Sequence, residues 1–274
     1  MAQLEQVLRR YRRDLREQGI SALGLNLTRQ TKAADLLSLI RKLRPQDCGN
    51  SLIRVGGSGD GGYLIPDDLE GIQYCFSPGV STVSNFENDL ANRKIHCFLA
   101  DYSVDAPPIS RPEFTFDKKF LGSSGNERFF TLESWKQKYL RDYSGDLILQ
   151  MDIEGAEYQV ILSTPDVLLS QFRIIVIEFH ALHKLFDPFC FELISACFEK
   201  LLQFFHVAHI HPNNFFRSVK KGDIEIPTIL EFTFLNKKRA GHTKPQRVFP
   251  HTLDEDNVAS RPLPLPKCWF SDIQ

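Results

Sequence analysis

The sequence predicts an α/β protein built around a mostly parallel sheet of seven strands. Three observations carry this. From about residue 52 short apolar runs alternate with helical or loop stretches, the rhythm of β and α units. Several of those runs end in acids or imidazoles. The 274 residues are 42% hydrophobic, ample for one large core. A net charge of −1 gives no global field to draw nucleic acid or an anionic membrane, so neither is an expected partner.

Leu4, Val7, Leu8, Tyr11 and Leu15 recur at helical spacing among Arg9, Arg10, Arg12, Arg13 and Arg16, which predicts an amphipathic helix ending near Gly19. Its basic face is either solvated, a contact in a homodimer, or a hold on an acidic substrate. A second helix is expected over 32–43, stopped by Pro45. Strands are expected at 73–76, 95–100, 114–116, 147–151, 174–179, 204–210 and 228–235, with helices at 84–92, 132–139, 157–163 and 189–204. The last helix, rich in Phe and Leu, is expected to be buried. Past Asn236 the chain turns basic and then Pro-rich, "RPLPLPKCW", which predicts an extended surface tail. The implied division is an N-terminal helical extension (1–50), a main domain (51–240) and the tail (241–274). Six cysteines without a C-x-x-C pair, several inside apolar runs, read as reduced buried thiols. No apolar h-region follows the N-terminal arginines and no run reaches about 18 apolar residues, so a cytoplasmic location is expected.

In an open parallel sheet, ligands bind outside the carboxyl ends of the strands where strand order reverses. The first strand runs into "SPGVSTVSNFENDLA", a small-residue turn followed by a helix with free N–H groups. The second ends in Asp101, either an ordinary strand-ending acid or, with that turn upstream, an acceptor for both hydroxyls of a ribose. The fourth, within "LILQMDIEGAEYQVI", ends in Asp152 and Glu154, charges that rarely close a buried strand without a partner. Gly155 permits a tight turn, and Glu157 falls in a helix's first turn, where the dipole favours an anion. The fifth, "FRIIVIEFHALH", places Glu178 and His180 two apart on one side. "HVAHIHPNN" brings His209, His211, Asn213 and Asn214 to the end of the sixth. A general base or a divalent-metal site can be built from such a set.

These segments resemble the FkbM-type methyltransferases, which use S-adenosylmethionine. The resemblance rests on "RVGGSGDGGYLIP", "CFSPGVSTVSNFENDLA", "LILQMDIEGAEYQVI", "IIVIEFHAL", "HIHPNN", "IPTILEFTF" and "FPHTLDEDN", in that order over roughly residues 52–260. It implies a Rossmann-like class I methyltransferase fold whose last strand is antiparallel. It implies that Ser77, Gly79 and Ser81 contact the cofactor's amino-acid portion, Asp101 its ribose, and that Asp152 and Glu154 border the methyl-transfer pocket beside Asp60, Gly61, Gly62 and Tyr63. One departure stands out: the cofactor turn reads "SPGVS" instead of a G-x-G pattern. The expected activity is O-methylation of a hydroxyl on a sugar or other glycan, with Asp152, His180 and Glu154 as catalytic groups and Tyr63, Asp60, Glu178, His211 and Asn213 on the acceptor side. A divalent metal is possible within this reading. Two competing readings are a metal-dependent hydrolase built on Asp152, Glu178, His180 and His211, and a non-catalytic binding module that retains the fold.

Overall fold

The computed structural model describes residues 29–259 and 261–272. The basic helix expected over 4–19 lies outside the described residues. All seven expected strands form and join one sheet: β1 (Tyr74–Pro78), β2 (His96–Ala100), β3 (Phe114–Asp117), β4 (Leu147–Met151), β5 (Phe172–Phe179), β6 (Phe205–Pro212) and β7 (Leu230–Asn236). Their order is β6-β7-β5-β4-β1-β2-β3. Strand β7 runs antiparallel to both neighbours and sits between β5 and β6; the pairs from β5 through β3 are parallel.

The apolar runs explain the middle of the sheet. Every residue of β4 and β5 is buried, as expected of parallel strands covered on both faces. Neighbouring residues on one strand feed different cores: Phe76 and Phe98 pack with one cluster, Cys75 and Cys97 with the other. The first cluster receives helices α1 (Ala33–Lys42), α3 (Leu132–Leu140), α4 (Glu157–Ser163) and α6 (Pro188–Phe204); the second receives α2 (Asn85–Asn92). A four-residue helix, α5 (Asp166–Leu169), leads into β5. Helix α6 starts with Pro188 at its first position, and the Asp187 carboxylate accepts from the Phe189 and Cys190 N–H groups. It is not buried throughout, as its composition had suggested. Ile194, Cys197, Phe198 and Leu201 form the covered stripe, while Phe189 and Leu193 are 82% and 45% exposed. At 3.6 residues per turn only one face of such a helix meets the sheet.

Small pairings complete the fold. The antiparallel hairpin Leu52–Val55/Tyr63–Pro66 carries the D-G-G-Y loop at its tip, and the Arg54 guanidinium pins that loop by donating to the Gly57 and Gly59 carbonyls at 2.6 and 3.1 Å. At the other end of the chain, Trp269 is fully buried, its Nε1–H donates to the Glu225 carbonyl at 3.0 Å, and Arg44 pairs with Asp272 at 2.9 Å. Gln46–Asp47 pairs with Lys244–Pro245. Helix α1 and the tail therefore share the main core. Five of the six cysteines are buried, and Cys190 is half-buried.

Candidate active site

Strand order reverses between β1 and β4, so two parallel strands there send their following segments in opposite directions and leave a crevice at their carboxyl ends. Gly79, just past β1, lets the crevice close to the right width. Its φ is +88°, and a Cβ there would lie 1.6 Å from the Asp152 carbonyl oxygen, so any side chain would force the two strand ends apart. Ser81, Glu154 and Ala181 also take left-handed backbone angles just beyond β1, β4 and β5. Such conformations persist only where the surroundings hold them.

A cavity of about 590 Å³ occupies the crevice. Five acids line it, Asp60, Glu87, Asp101, Asp152 and Glu154, together with Tyr63, Gly79, Ser81, Gln150 and the rings of Phe120 and Phe129. Among the described residues, no Lys, Arg or His lines it.

At one end stands Asp101. Its Oδ2 accepts from the Ser81 N–H at 2.9 Å, and Oδ1 accepts from the Ser103 N–H and hydroxyl at 2.7 and 2.6 Å. Beneath the β1 turn, Ser77 is fully buried and is not part of the cavity wall; its hydroxyl contacts Glu87 and, at 2.6 Å, Gln150 Oε1. Gln150 in turn donates to the Tyr63 hydroxyl at 3.4 Å. Burial pushes the Glu87 carboxyl up to about 7, with the Ser77 contact pulling the other way.

At the other end, acids and an imidazole converge. His180 Nδ1 meets Glu157 Oε1 at 3.1 Å, and that same oxygen accepts from the Ile153 and Gly155 N–H groups. His180 Nε2 faces Glu154 and Glu178 at 3.5 Å each and Asp152 at 3.8 Å. Burial alone would lower the His180 pKa, but Glu157, Asp152 and Glu154 outweigh it and raise it. Asp152 is pushed up to about 7 by burial, aided by Glu154 and Glu157 and opposed by His180. Its Oδ1 is buried without a hydrogen-bond partner. Burial, Asp152 and Glu231 raise Glu178 well above the usual range.

The sheet register explains the crowding. Glu178 pairs with Glu231 across β5 and β7, and Glu231 with His211 across β7 and β6, so the three lie abreast. Asn213 Nδ2 donates to both Glu178 oxygens at 3.2 Å, and Asn257 Nδ2 to Glu231 at 2.6 Å. Asp152, Glu178 and His180 each offer one atom, all within 4.8 Å of one another, a spacing that fits a divalent cation, and among the described residues they are the one such trio.

Asp60, Tyr63, Gly79, Ser81, Asp101, Asp152 and Glu154, all singled out from the sequence, therefore line one cavity. His180, Glu178 and Asn213 stand in the layer behind Asp152. His211 is not brought there: its Nδ1 faces Asp254 at 3.6 Å, and it lines a separate cavity of about 230 Å³. Sequence reasoning missed Glu87, Gln150, Glu231, Asp254 and Asn257. The strand period offered a signal for Gln150 alone, the one polar residue within β4.

Residues 131–209 match the methyltransferase FkbM domain. The match contains Asp152, Glu154, Glu157, Glu178 and His180 and leaves out Ser77 through Asp101. No curated protein sequence matches the chain. Among solved structures, a chain of a fibrillarin/Nop5p complex is similar at 10% identity and a TM-score of 0.37, over 61% of this chain and 74% of that one. A 16S rRNA (adenine(1408)-N(1))-methyltransferase mutant from Catenulisporales acidiphilia is similar at 10% identity and a TM-score of 0.29, over 68% of this chain and 97% of that one.

Proposed function

We propose that this chain, whose residues 131–209 match the methyltransferase FkbM domain, uses S-adenosylmethionine to methylate a hydroxyl oxygen, most readily one on a sugar or glycan. The observation that carries the proposal is the sign of the cavity: among the described residues, five carboxyl groups and no basic side chain line it. Such a wall repels phosphate-bearing cofactors and suits a nucleoside that carries positive charge.

When bound, the cofactor supplies an electrophilic methyl on a sulfonium. Gly79 and Ser81 would border its amino-acid portion and Asp101 its ribose, the Phe120 and Phe129 rings giving an apolar wall nearby. The acids at the far end orient a polyhydroxylated acceptor, Glu154 among them with a side chain 87% exposed. An aliphatic hydroxyl is a weak nucleophile at neutral pH, so its proton must go to a base. The Asp152 carboxyl takes that proton: it lines the cavity, its buried Oδ1 has no hydrogen-bond donor among the described residues, and a carboxyl titrating near neutrality is matched to the task. His180, held at Nδ1 by Glu157, keeps Nε2 turned toward Asp152 and steadies its charge. A divalent cation held by Asp152, Glu178 and His180 would replace that base by acidifying the hydroxyl directly.

Two measurements test the proposal. Titration calorimetry with S-adenosylhomocysteine should give stoichiometric binding, and radiolabelled S-adenosylmethionine should pass its methyl to a glycan fraction. Absence of cofactor binding by the folded protein sinks the reading. Transfer that survives exhaustive chelation assigns the proton to Asp152; transfer that stops and is restored by one divalent ion assigns the cation.

A further inference from the structure

Resting on the cofactor reading above, we infer that Glu87 is the counter-ion for the α-ammonium group of the cofactor's amino-acid portion, held in place by Ser77 and Gln150. Glu87 lies in the first turn of α2 and is 3% exposed, yet it forms part of the cavity wall. Its carboxyl contacts the Ser77 hydroxyl at the buried end of β1, and among the described residues no basic side chain shares the wall with it. A carboxylate in that position is costly to ionise, unless a cation arrives from the ligand.

The hydrogen-bond parity of the network points the same way. Ser77 has one hydroxyl proton but stands between two oxygens, Glu87 Oε1 and Gln150 Oε1. The chain closes if Glu87 keeps a proton and donates it to Ser77, which donates to Gln150, whose Nε2–H donates to Tyr63. Turning the Gln150 amide over exchanges its donor and acceptor. Gln150 then donates to Ser77, Ser77 donates to an ionised Glu87, and Tyr63 donates to Gln150. Both arrangements give each of the three contacts one donor and one acceptor, and they differ by one proton on Glu87. A carboxyl that titrates near neutrality passes between them easily. An ammonium group entering the cavity favours the ionised arrangement, so cofactor binding expels a proton.

Calorimetry with S-adenosylhomocysteine and with its deaminated analogue, which lacks only the amino group, tests the assignment. For the unaltered protein near pH 7, the enthalpy of S-adenosylhomocysteine binding should vary with the ionisation heat of the buffer, reporting proton release, while that of the deaminated analogue should not. Glu87→Gln should weaken S-adenosylhomocysteine roughly 10- to 100-fold, the scale of a charge-assisted contact, and abolish the buffer dependence. The analogue should change less than about threefold. Equal weakening of both ligands, or no weakening of either, overturns the role of Glu87 while leaving the cofactor reading standing. Failure of the unaltered protein to bind S-adenosylhomocysteine removes both. The buffer comparison needs no variant, so a misfolded Glu87→Gln protein does not shelter the inference.

Discussion

Asp101 and Asp152 both end parallel strands on the rim of the same cavity, and the protein treats them in opposite ways. Asp101 is 4% exposed and has three donors on its two oxygens, from Ser81 and Ser103. Asp152 has a buried oxygen with no donor, and carboxyl groups of Glu154, Glu157 and Glu178 around the imidazole it faces. The first carboxylate is committed to shaping the turns that frame the cavity. The second is held in an environment that disfavours its charge until a hydroxyl, a proton or a cation relieves it. Shape and chemistry are thus assigned to different strands, and the glycine that joins them, Gly79, is the point of closest approach.

The largest expected effect breaks the reactive side of this comparison. Asp152→Asn removes both the proposed proton acceptor and a proposed cation ligand, and single-turnover methyl transfer should fall by about 10²- to 10⁴-fold. Thermal stability should hold or rise, because a crowded acid becomes neutral. Transfer within tenfold of the unaltered rate would show that Asp152 is not the reacting group.

Asp101→Ala should behave in the opposite sense. It removes the acceptor of the Ser81 and Ser103 N–H groups, both on exposed residues, at a cost of about 1–2 kcal/mol in urea denaturation. Weakened S-adenosylhomocysteine binding should accompany that loss. Destabilisation with intact cofactor affinity would leave Asp101 a purely structural residue.

The pH dependence sharpens the reactive side further. With Asp152 as base, transfer should rise with pH through a limb near 7. His180 lowers the Asp152 pKa, so His180→Gln should move that limb to higher pH, read from kcat against pH. A limb that stays in place would detach His180 from the titrating group.

The contrast between the two aspartates also separates what the sequence discloses from what only the fold can. Seven strands were legible because β4 and β5 are apolar runs broken only by Gln150, Arg173 and Glu178; helix α4 was legible to the residue, bounded by the Gly155 turn and Thr164. Acids closing apolar runs are conspicuous against the cost of burying charge, and so Asp101, Asp152 and Glu178 could be read directly. Glu87 could not: within "SNFENDLA" it looks like any acid on a helix face, and its meaning comes from Ser77, ten residues earlier on a strand. Asn257 and Asp254 were hidden for the same reason, since their partners Glu231 and His209 come from strands far upstream of the tail. The hairpin bearing Asp60 and Tyr63 escaped notice because its strands are four residues each and its loop is mostly glycine and serine. Exposed Phe189 defeated the inference from composition, which registers how apolar a helix is but not how its side chains divide between faces.

Asp254 supplies the control with the smallest expected effect. Like Asp101 it is buried and fully engaged: its Oδ1 meets His209 Nε2 at 2.8 Å and its Oδ2 accepts from the His251 N–H at 2.7 Å, but it lies outside the main cavity. Burial opposes its charge, yet His209 and His211 hold its pKa well below the usual carboxylate range. A depressed acid contributes stability that is present above its unfolded pKa, about 3.9, and is lost as pH falls through the folded value. Asp254→Asn should therefore cost about 1–2 kcal/mol near pH 7, and the gap should narrow progressively below about pH 4. S-adenosylhomocysteine affinity should stay within about twofold. If Asp254→Asn weakened the cofactor as Asp101→Ala does, donor satisfaction alone would account for the Asp101 result, and the distinction between a turn-shaping and a reactive aspartate would lose its functional content.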